Sequence, residues 1–207
     1  MSVKLISITP DTEKQIAYMA RVSNPANQNN PKIKGLLKYC VREGHWSIFQ
    51  MCNMVVEIKT TRAISAQILR HRSFSFQEFS QRYSTVEEKS KCFLFRSQDL
   101  KNRQNSLDDI DKDKKKEMKT EVVKTLSAID KCYHYLLSNG VAKECARMIL
   151  PMNSPTKLYM NGTIRSWIHY LKTRTDPSTQ KEHRDIALLI KQIFKEQLPI
   201  IYEATFL

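Results

Sequence analysis

MCNMVVEIKTTRAISAQILRHRSFSFQEFSQR, residues 51–82, contains the change of period that decides the fold. Its first part, 51–59, gathers Val55, Val56 and Ile58 into a short β-branched run and reads as a strand. In 61–70, Ile64, Ile68 and Leu69 fall on or near one face at helical spacing, so a helix follows. The rest, RHRSFSFQEFSQR over 70–82, reads as a shaped loop leaving that helix. It packs four arginine or histidine side chains into thirteen positions, with three phenylalanines and three serines. A solvated basic turn has no use for three large apolar rings. Fixed cations, hydroxyls and aromatics at this density suit a ligand that is anionic and planar.

Outward from that stretch, 3–8 alternates apolar and polar residues as a strand does, and Pro10-Asp11-Thr12 opens a helix to about Val22. Asn30-Pro31 and Gly44 frame a helix over 32–43, as cap, first-turn proline and stop. Residues 96–117 are the most polar and read as a solvated loop grading into a helix over 117–138, stopped by Asn139-Gly140. A helix over 141–150 ends before Pro151, and 158–160 can extend a strand. Helices over 164–173 and 179–198 follow, the last closed by Pro199. There is no internal repeat and no linker. Strands early and helices late, in a chain of 207 residues, predict one α+β domain over 1–207.

Charge narrows the ligand. Thirty-four Lys+Arg against 21 Asp+Glu leave a net +13, which attracts nucleic acid, acidic lipid or phosphate-bearing small molecules. Four glycines, with no GxGxxG and no GxxxxGK[ST], offer no glycine-rich cradle, so if phosphate is bound side chains must supply most of the donors. Five cysteines without a CxxC pair suit reduced thiols. No His, Cys and carboxylate spacing marks a metal site, and no GxSxG elbow occurs. With neither a signal peptide nor a bilayer-length apolar run, the expectation is a soluble cytoplasmic protein.

Other candidates lie apart in sequence. Arg70, His71 and Arg72 are consecutive, fan out at about 100° intervals on a helix, and can surround a ligand only at a helix end. Arg165 and His169 share a helix face, Arg174 follows, and Arg147 sits in ECARMILP. His45 stands in EGHWSIF, just past a helix stop. Each has a plain structural reading: a snorkelling arginine for Arg147, a hydrogen-bonded core histidine for His169, a helix-end dipole partner for Arg174, a structural histidine beside Trp46 for His45.

The order Arg70-His71-Arg72, seven residues, Ser80, one residue, Arg82 resembles the RHR-x7-S-x-R motif of the flavin-dependent thymidylate synthases. Chance matches to five fixed positions are on the order of one in ten thousand. ARVSN (20–24), LLKYCVREGHWSIF (36–49), ECARMILP and GTIRSWIHYLKTR are also similar to that family, in the same order. The resemblance covers nearly the whole chain except 96–120. It implies an α+β fold with a small mixed or antiparallel sheet flanked by several helices. It implies conversion of dUMP to dTMP, with 5,10-methylenetetrahydrofolate as one-carbon donor and NADPH reducing a bound FAD. It further implies a homotetramer with active sites built from more than one chain, acting on small molecules rather than nucleic acid or membrane.

Carried over by position, the resemblance gives FAD the residues Ser47, Arg70, His71, Arg72, Glu78, Thr163, Ile164, Arg165 and His169, with His45 beside flavin and folate. It gives dUMP the residues Gln67, Arg70, Glu78, Phe79, Ser80, Gln81, Arg82, Arg147 and Arg174. Arg174 would stabilise negative charge developing on the pyrimidine, as a permanently charged guanidinium can. Ser80 is the other candidate at the reacting centre. It fits substrate positioning better than nucleophilic attack, because no base stands near it in sequence. Two departures stand out. Gln50-Met51 replaces a common Glu-His after Phe49, which touches flavin or folate contacts, and His169 stands where Asn is common. The alternatives are a basic nucleic-acid-binding protein, whose affinity would fall steeply with salt, and a relative that binds nucleotide or flavin without turnover.

Overall fold

The computed structural model describes residues 1–207 and has α+β architecture. The strands are β1 (Ser2–Ile8), β2 (Asn53–Thr61), β3 (Phe74–Glu78), β4 (Ser97–Gln98), β5 (Ser106–Leu107) and β6 (Pro155–Thr163). Four of them make one sheet in the order β1-β2-β6-β3, while β4 and β5 pair antiparallel as a separate two-residue ladder. Alternation in β2 and β6 explains their central places. Met54, Val56, Ile58 and Thr60 are buried along one, and Thr156, Leu158, Met160 and Gly162 along the other. Pro155, which cannot donate to a ladder, stands at the first residue of β6.

The helices are α1 (Thr12–Ala20), α2 (Lys34–Arg42), α3 (Arg62–Ile68), α4 (Lys112–Ser138), α5 (Lys143–Ala146), α6 (Ile164–Arg174), α7 (Lys181–Gln197) and α8 (Pro199–Phe206). The backbone forms two compact units, neither continuous in sequence. The first comprises 1–58, 71–77 and 159–207; the second comprises 59–70 and 78–158.

In the first unit α6 packs on α7, and α2 on α8. Trp167, Tyr170, Leu171, Ile186, Ile190 and Phe194 are all fully buried there. Each aliphatic or Phe side chain so buried contributes roughly 1.5–3 kcal/mol. Trp167 donates Nε1–H to the Met54 carbonyl at 2.9 Å, so its polar end is satisfied as well. Gly162 faces the Phe74 ring so closely that a Cβ there would overlap it. In the second unit Val86, Tyr133 and Ala146 form the core, with Phe79, Leu136, Leu137, Val141, Ile149 and Leu150 packed around them. The Tyr133 hydroxyl accepts from the Val86 N–H at 3.2 Å.

Four expectations change. The stretch after Arg72 is a strand at the sheet edge rather than a loop, because Phe74, Phe76 and Glu78 alternate with the exposed Ser75 and Gln77. Helix α4 begins at Lys112 rather than 117, because the Asp111 side chain caps it by accepting from the N–H groups of Asp113 and Lys114. The helix expected over 141–150 is α5 continued by a 3-10 turn, Arg147–Ile149. Pro199 closes α7 but also opens α8, in the first-turn position where a proline is preorganised for helix.

Candidate functional site

Two clusters of chemistry-bearing side chains emerge, one in each unit. In the first unit, α6 ends at Arg174, one helical turn beyond Tyr170, so both side chains lie on the same face. Arg174 Nε–H donates to His71 Nε2 at 2.9 Å. Arginine has no acceptor, so His71 must be neutral, with its ring proton on Nδ1. Burial chiefly, then the charges of Arg174 and His169, lower the His71 pKa to about 4. The bond employs Nε and leaves the forked Nη1/Nη2 end of Arg174 for an anion. His71 meets the Tyr170 ring edge-on, centroids 4.9 Å apart at 77°, and Phe74 closes on Tyr170 at 5.8 Å and on Trp167 at 4.7 Å. Here the stretch that reads as a basic loop sends an imidazole and a phenyl ring inward, which is what its phenylalanines required.

Tyr170 and His183 were not among the residues picked from sequence. The Tyr170 hydroxyl and His183 Nε2 are 3.0 Å apart, and both side chains are fully buried. Burial first, then the charges of Arg174 and His71, lower the His183 pKa to about 4, while burial raises that of Tyr170. One signal was available: His183 heads the stripe continued by Ile186, Ala187 and Ile190 at i+3, i+4 and i+7. A histidine there needs a polar partner.

These two histidines set a pH dependence. In the unfolded chain each takes up its proton near pH 6.5, whereas the folded protein refuses it down to about 4. The unfolded state therefore binds more protons in that window, and stability falls as pH drops from 6.5 towards 4. For His183 the loss reaches about 3 kcal/mol at most, and less for the half-exposed His71. Urea midpoints measured from pH 8 to 4 should be governed by these groups only below 6.5. A midpoint that stays level from 6.5 to 4.5 would contradict the burial of neutral imidazoles.

In the same unit Arg72, Arg165, His169, His45 and Ser47 are exposed. His45 stacks edge-on with Tyr39 at 5.6 Å, and Lys172 lies over the Trp46 ring at 5.9 Å. Thr163 caps α6 by accepting from the Ser166 N–H, and Ile164 is buried with its N–H bonded to the Cys52 carbonyl. Both therefore have local structural tasks. Gln50 and Met51 are exposed where the 3-10 turn Trp46–Gln50 ends.

In the second unit Glu78 is the hub. Its Oε1 accepts from Ser65 Oγ at 2.6 Å and Thr156 Oγ1 at 2.8 Å, and its Oε2 pairs with Arg62 Nη1 at 2.5 Å. Burial opposes ionisation, but these three donors outweigh it and hold the carboxyl below its ordinary pKa. Of the roughly four acceptor positions on a carboxylate, three are filled. Arg82 and Arg147 both reach Glu144, the first by an exposed ion pair of 3.3 Å and the second by a long Nε–H bond of 3.4 Å to its carbonyl. Ser80 and Arg70 are exposed, Phe79 packs in the core, and Gln67 is half-buried. Gln81 is 8% exposed, and its Nε2 has no hydrogen-bond partner, a buried donor awaiting an acceptor. Of the expected dUMP residues, all but Arg174 fall in this unit. Of the expected FAD residues, all but Arg70 and Glu78 fall in the other.

An arginine oriented by a neutral imidazole, beside aromatic rings on an α+β frame poor in glycine, is chemically suited to an anionic ring compound met by side chains. The comparisons make this particular. A family model described as "Thymidylate synthase complementing protein" matches residues 4–200. A flavin-dependent thymidylate synthase of Synechocystis sp. is 52% identical over 214 aligned residues, covering 99% of each chain. A probable flavin-dependent thymidylate synthase of Paramecium bursaria Chlorella virus 1 is also 52% identical, covering 99% of this chain and 98% of that one. The crystal structure of PolB, a UMP/dUMP methylase from Streptomyces cacaoi bound with 5-Br dUMP, shares the fold. Its TM-score is 0.84 at 23% identity, over 98% of this chain and 93% of that one. The chain belongs to the flavin-dependent thymidylate synthase family.

Proposed function

We propose that this protein methylates dUMP to dTMP, taking one carbon from 5,10-methylenetetrahydrofolate and reducing equivalents from NADPH by way of FAD, as a single-domain cytoplasmic enzyme. The observation that carries the reading is the Arg174–His71 bond, which aims a permanent cation by means of a neutral imidazole. Full-length identity to enzymes named for this reaction supports it. No helix is long and apolar enough to cross a membrane.

The residues suit FAD. With only four glycines, a diphosphate has to be met by side chains, and Arg72 and Arg165 are exposed cations in the first unit. Ser47, His45 and His169 add further polar donors in the same unit. When bound, the flavin supplies the hydride chemistry that no side chain can. The chain's own part is electrostatic and geometric. Arg174 offers its fork to the pyrimidine where negative charge develops. Arg82, Arg147, Arg70, Gln67, Ser80 and Gln81 offer donors to the phosphate and uracil of dUMP. Glu78 retains one acceptor position for a ring N–H. Active sites drawing on more than one copy, in a homotetramer, remove any need for one chain to supply every residue.

The test is an assay coupling dUMP and methylenetetrahydrofolate to NADPH oxidation, on protein purified with its flavin absorbance recorded. Oxidation that depends on both substrates and yields dTMP supports the proposal. Protein that holds no flavin and takes up none when FAD is added overturns it.

A further inference from the structure

We propose that His183 is a positioning residue for the nucleotide site: through the Tyr170 hydroxyl it fixes the ring on which His71 rests, and thereby the aim of Arg174. The inference depends on the dUMP reading above. Three links carry it. His183 Nε2 lies 3.0 Å from Tyr170 Oη. The Tyr170 and His71 rings meet edge-on at 4.9 Å, with His183 itself 6.2 Å from His71. His71 Nε2 then accepts from Arg174 Nε at 2.9 Å.

A buried histidine is often only a satisfied core residue. Here two features argue for more. The stripe that His183 heads is otherwise apolar, Ile186, Ala187 and Ile190, so packing alone would select an aliphatic residue. Its partner is also no ordinary core phenol: Tyr170 sits one turn before Arg174 on α6 and forms the floor beneath His71. Removing the imidazole leaves the Tyr170 hydroxyl buried and needing a new partner. The phenol must then tilt, and His71 with it. A neutral His71 can hold Arg174 in line only while its Nε2 lone pair points along the Nε–H bond, and hydrogen bonds weaken steeply as they bend.

The test compares His183→Phe, which keeps the bulk without hydrogen bonding, with His183→Gln, whose amide reaches about as far as Nε2 and restores the bond to Tyr170. Calorimetric titration with dUMP reads the site independently of turnover, and steady-state assays and thermal midpoints accompany it. His183→Phe should fold yet bind dUMP roughly 10-fold more weakly, with kcat lowered too, since small misplacements of a catalytic group cost up to about 100-fold. His183→Gln should stay within about 3-fold of wild type. Tyr170→Phe should match His183→Phe, and the double variant should be no worse than either single one, as for two members of one chain of contacts.

Unchanged dUMP binding and kcat in folded His183→Phe overturn the inference, as does equal impairment of the Gln and Phe variants, or multiplying effects in the double variant. A purely structural role would lower thermal midpoints and leave dUMP affinity per folded molecule intact, which also overturns it. Should His183→Phe not fold, the Gln rescue and Tyr170→Phe decide alone. Wild-type protein that takes up no dUMP refutes the function itself.

Discussion

Replacing Arg174 by Ala should abolish dTMP formation while the purified protein stays yellow with flavin. The side chain sits at the last residue of α6, so its removal disturbs no helix interior, and it is half-exposed, so the core loses little. What disappears is a guanidinium held through its Nε–H by His71. Losing one preorganised donor of this kind typically lowers kcat by 10²–10³, about 3–4 kcal/mol of transition-state stabilisation. Arg174→Lys keeps the charge but not the Nε bond and should recover only part of the activity. His71 supplies a second readout. Burial is the main cause of its lowered pKa and remains, whereas the Arg174 contribution goes, so the His71 titration seen by NMR should move up from about 4 and stay below 6.5. Wild-type turnover in Arg174→Ala would remove the residue from the reaction.

The second large effect belongs to Glu78, and it should appear first in stability. Glu78→Ala leaves Ser65, which is fully buried, and Thr156 without their acceptor, and leaves Arg62 without its counter-ion. Breaking a fully buried pair costs about 3–5 kcal/mol; with Arg62 about one-third exposed, roughly 2–3 is the expectation. For a chain of this size that is a fall of about 5–10 °C in Tm. Glu78→Gln should be little better on the Arg62 side, because the amide NH2 confronts the guanidinium donor to donor. Differential scanning calorimetry without ligands isolates this effect from any part Glu78 plays in binding. A Tm within a degree of wild type for Glu78→Ala would show that the three short bonds do not hold the second unit together.

How much of this could be read from residues alone depended on the range of each signal. Helix α6 was legible because Ile164, Trp167, Ile168 and Leu171 repeat at the helical period and are buried where that period puts them. Strand β3 was missed because its alternation, Phe74, Phe76, Glu78, lies beneath serines and cations that suggested a loop. The start of α4 was hidden by dense charge, although Asp111 carries the usual cap. For the site, the spaced arginines and Ser80 announced an anion, yet the contacts that aim Arg174 join residues 71, 170, 174 and 183. Only tertiary folding brings position 71 to position 174, and no local pattern encodes that pair. Glu78 was read as a ligand. That three hydroxyl and guanidinium donors occupy it became visible only when Ser65 and Thr156, far apart in sequence, arrived at one carboxylate.

The backbone changes unit four times, at 58/59, 70/71, 77/78 and 158/159, and the second of these falls between Arg70 and His71. Such a chain has no seam. Neither unit is one uninterrupted stretch, since 71–77 returns to the first unit in mid-course. No single cut at any of the four crossings would therefore separate the two units, and the tripeptide 70–72 is itself divided, its first arginine in one unit and its histidine in the other.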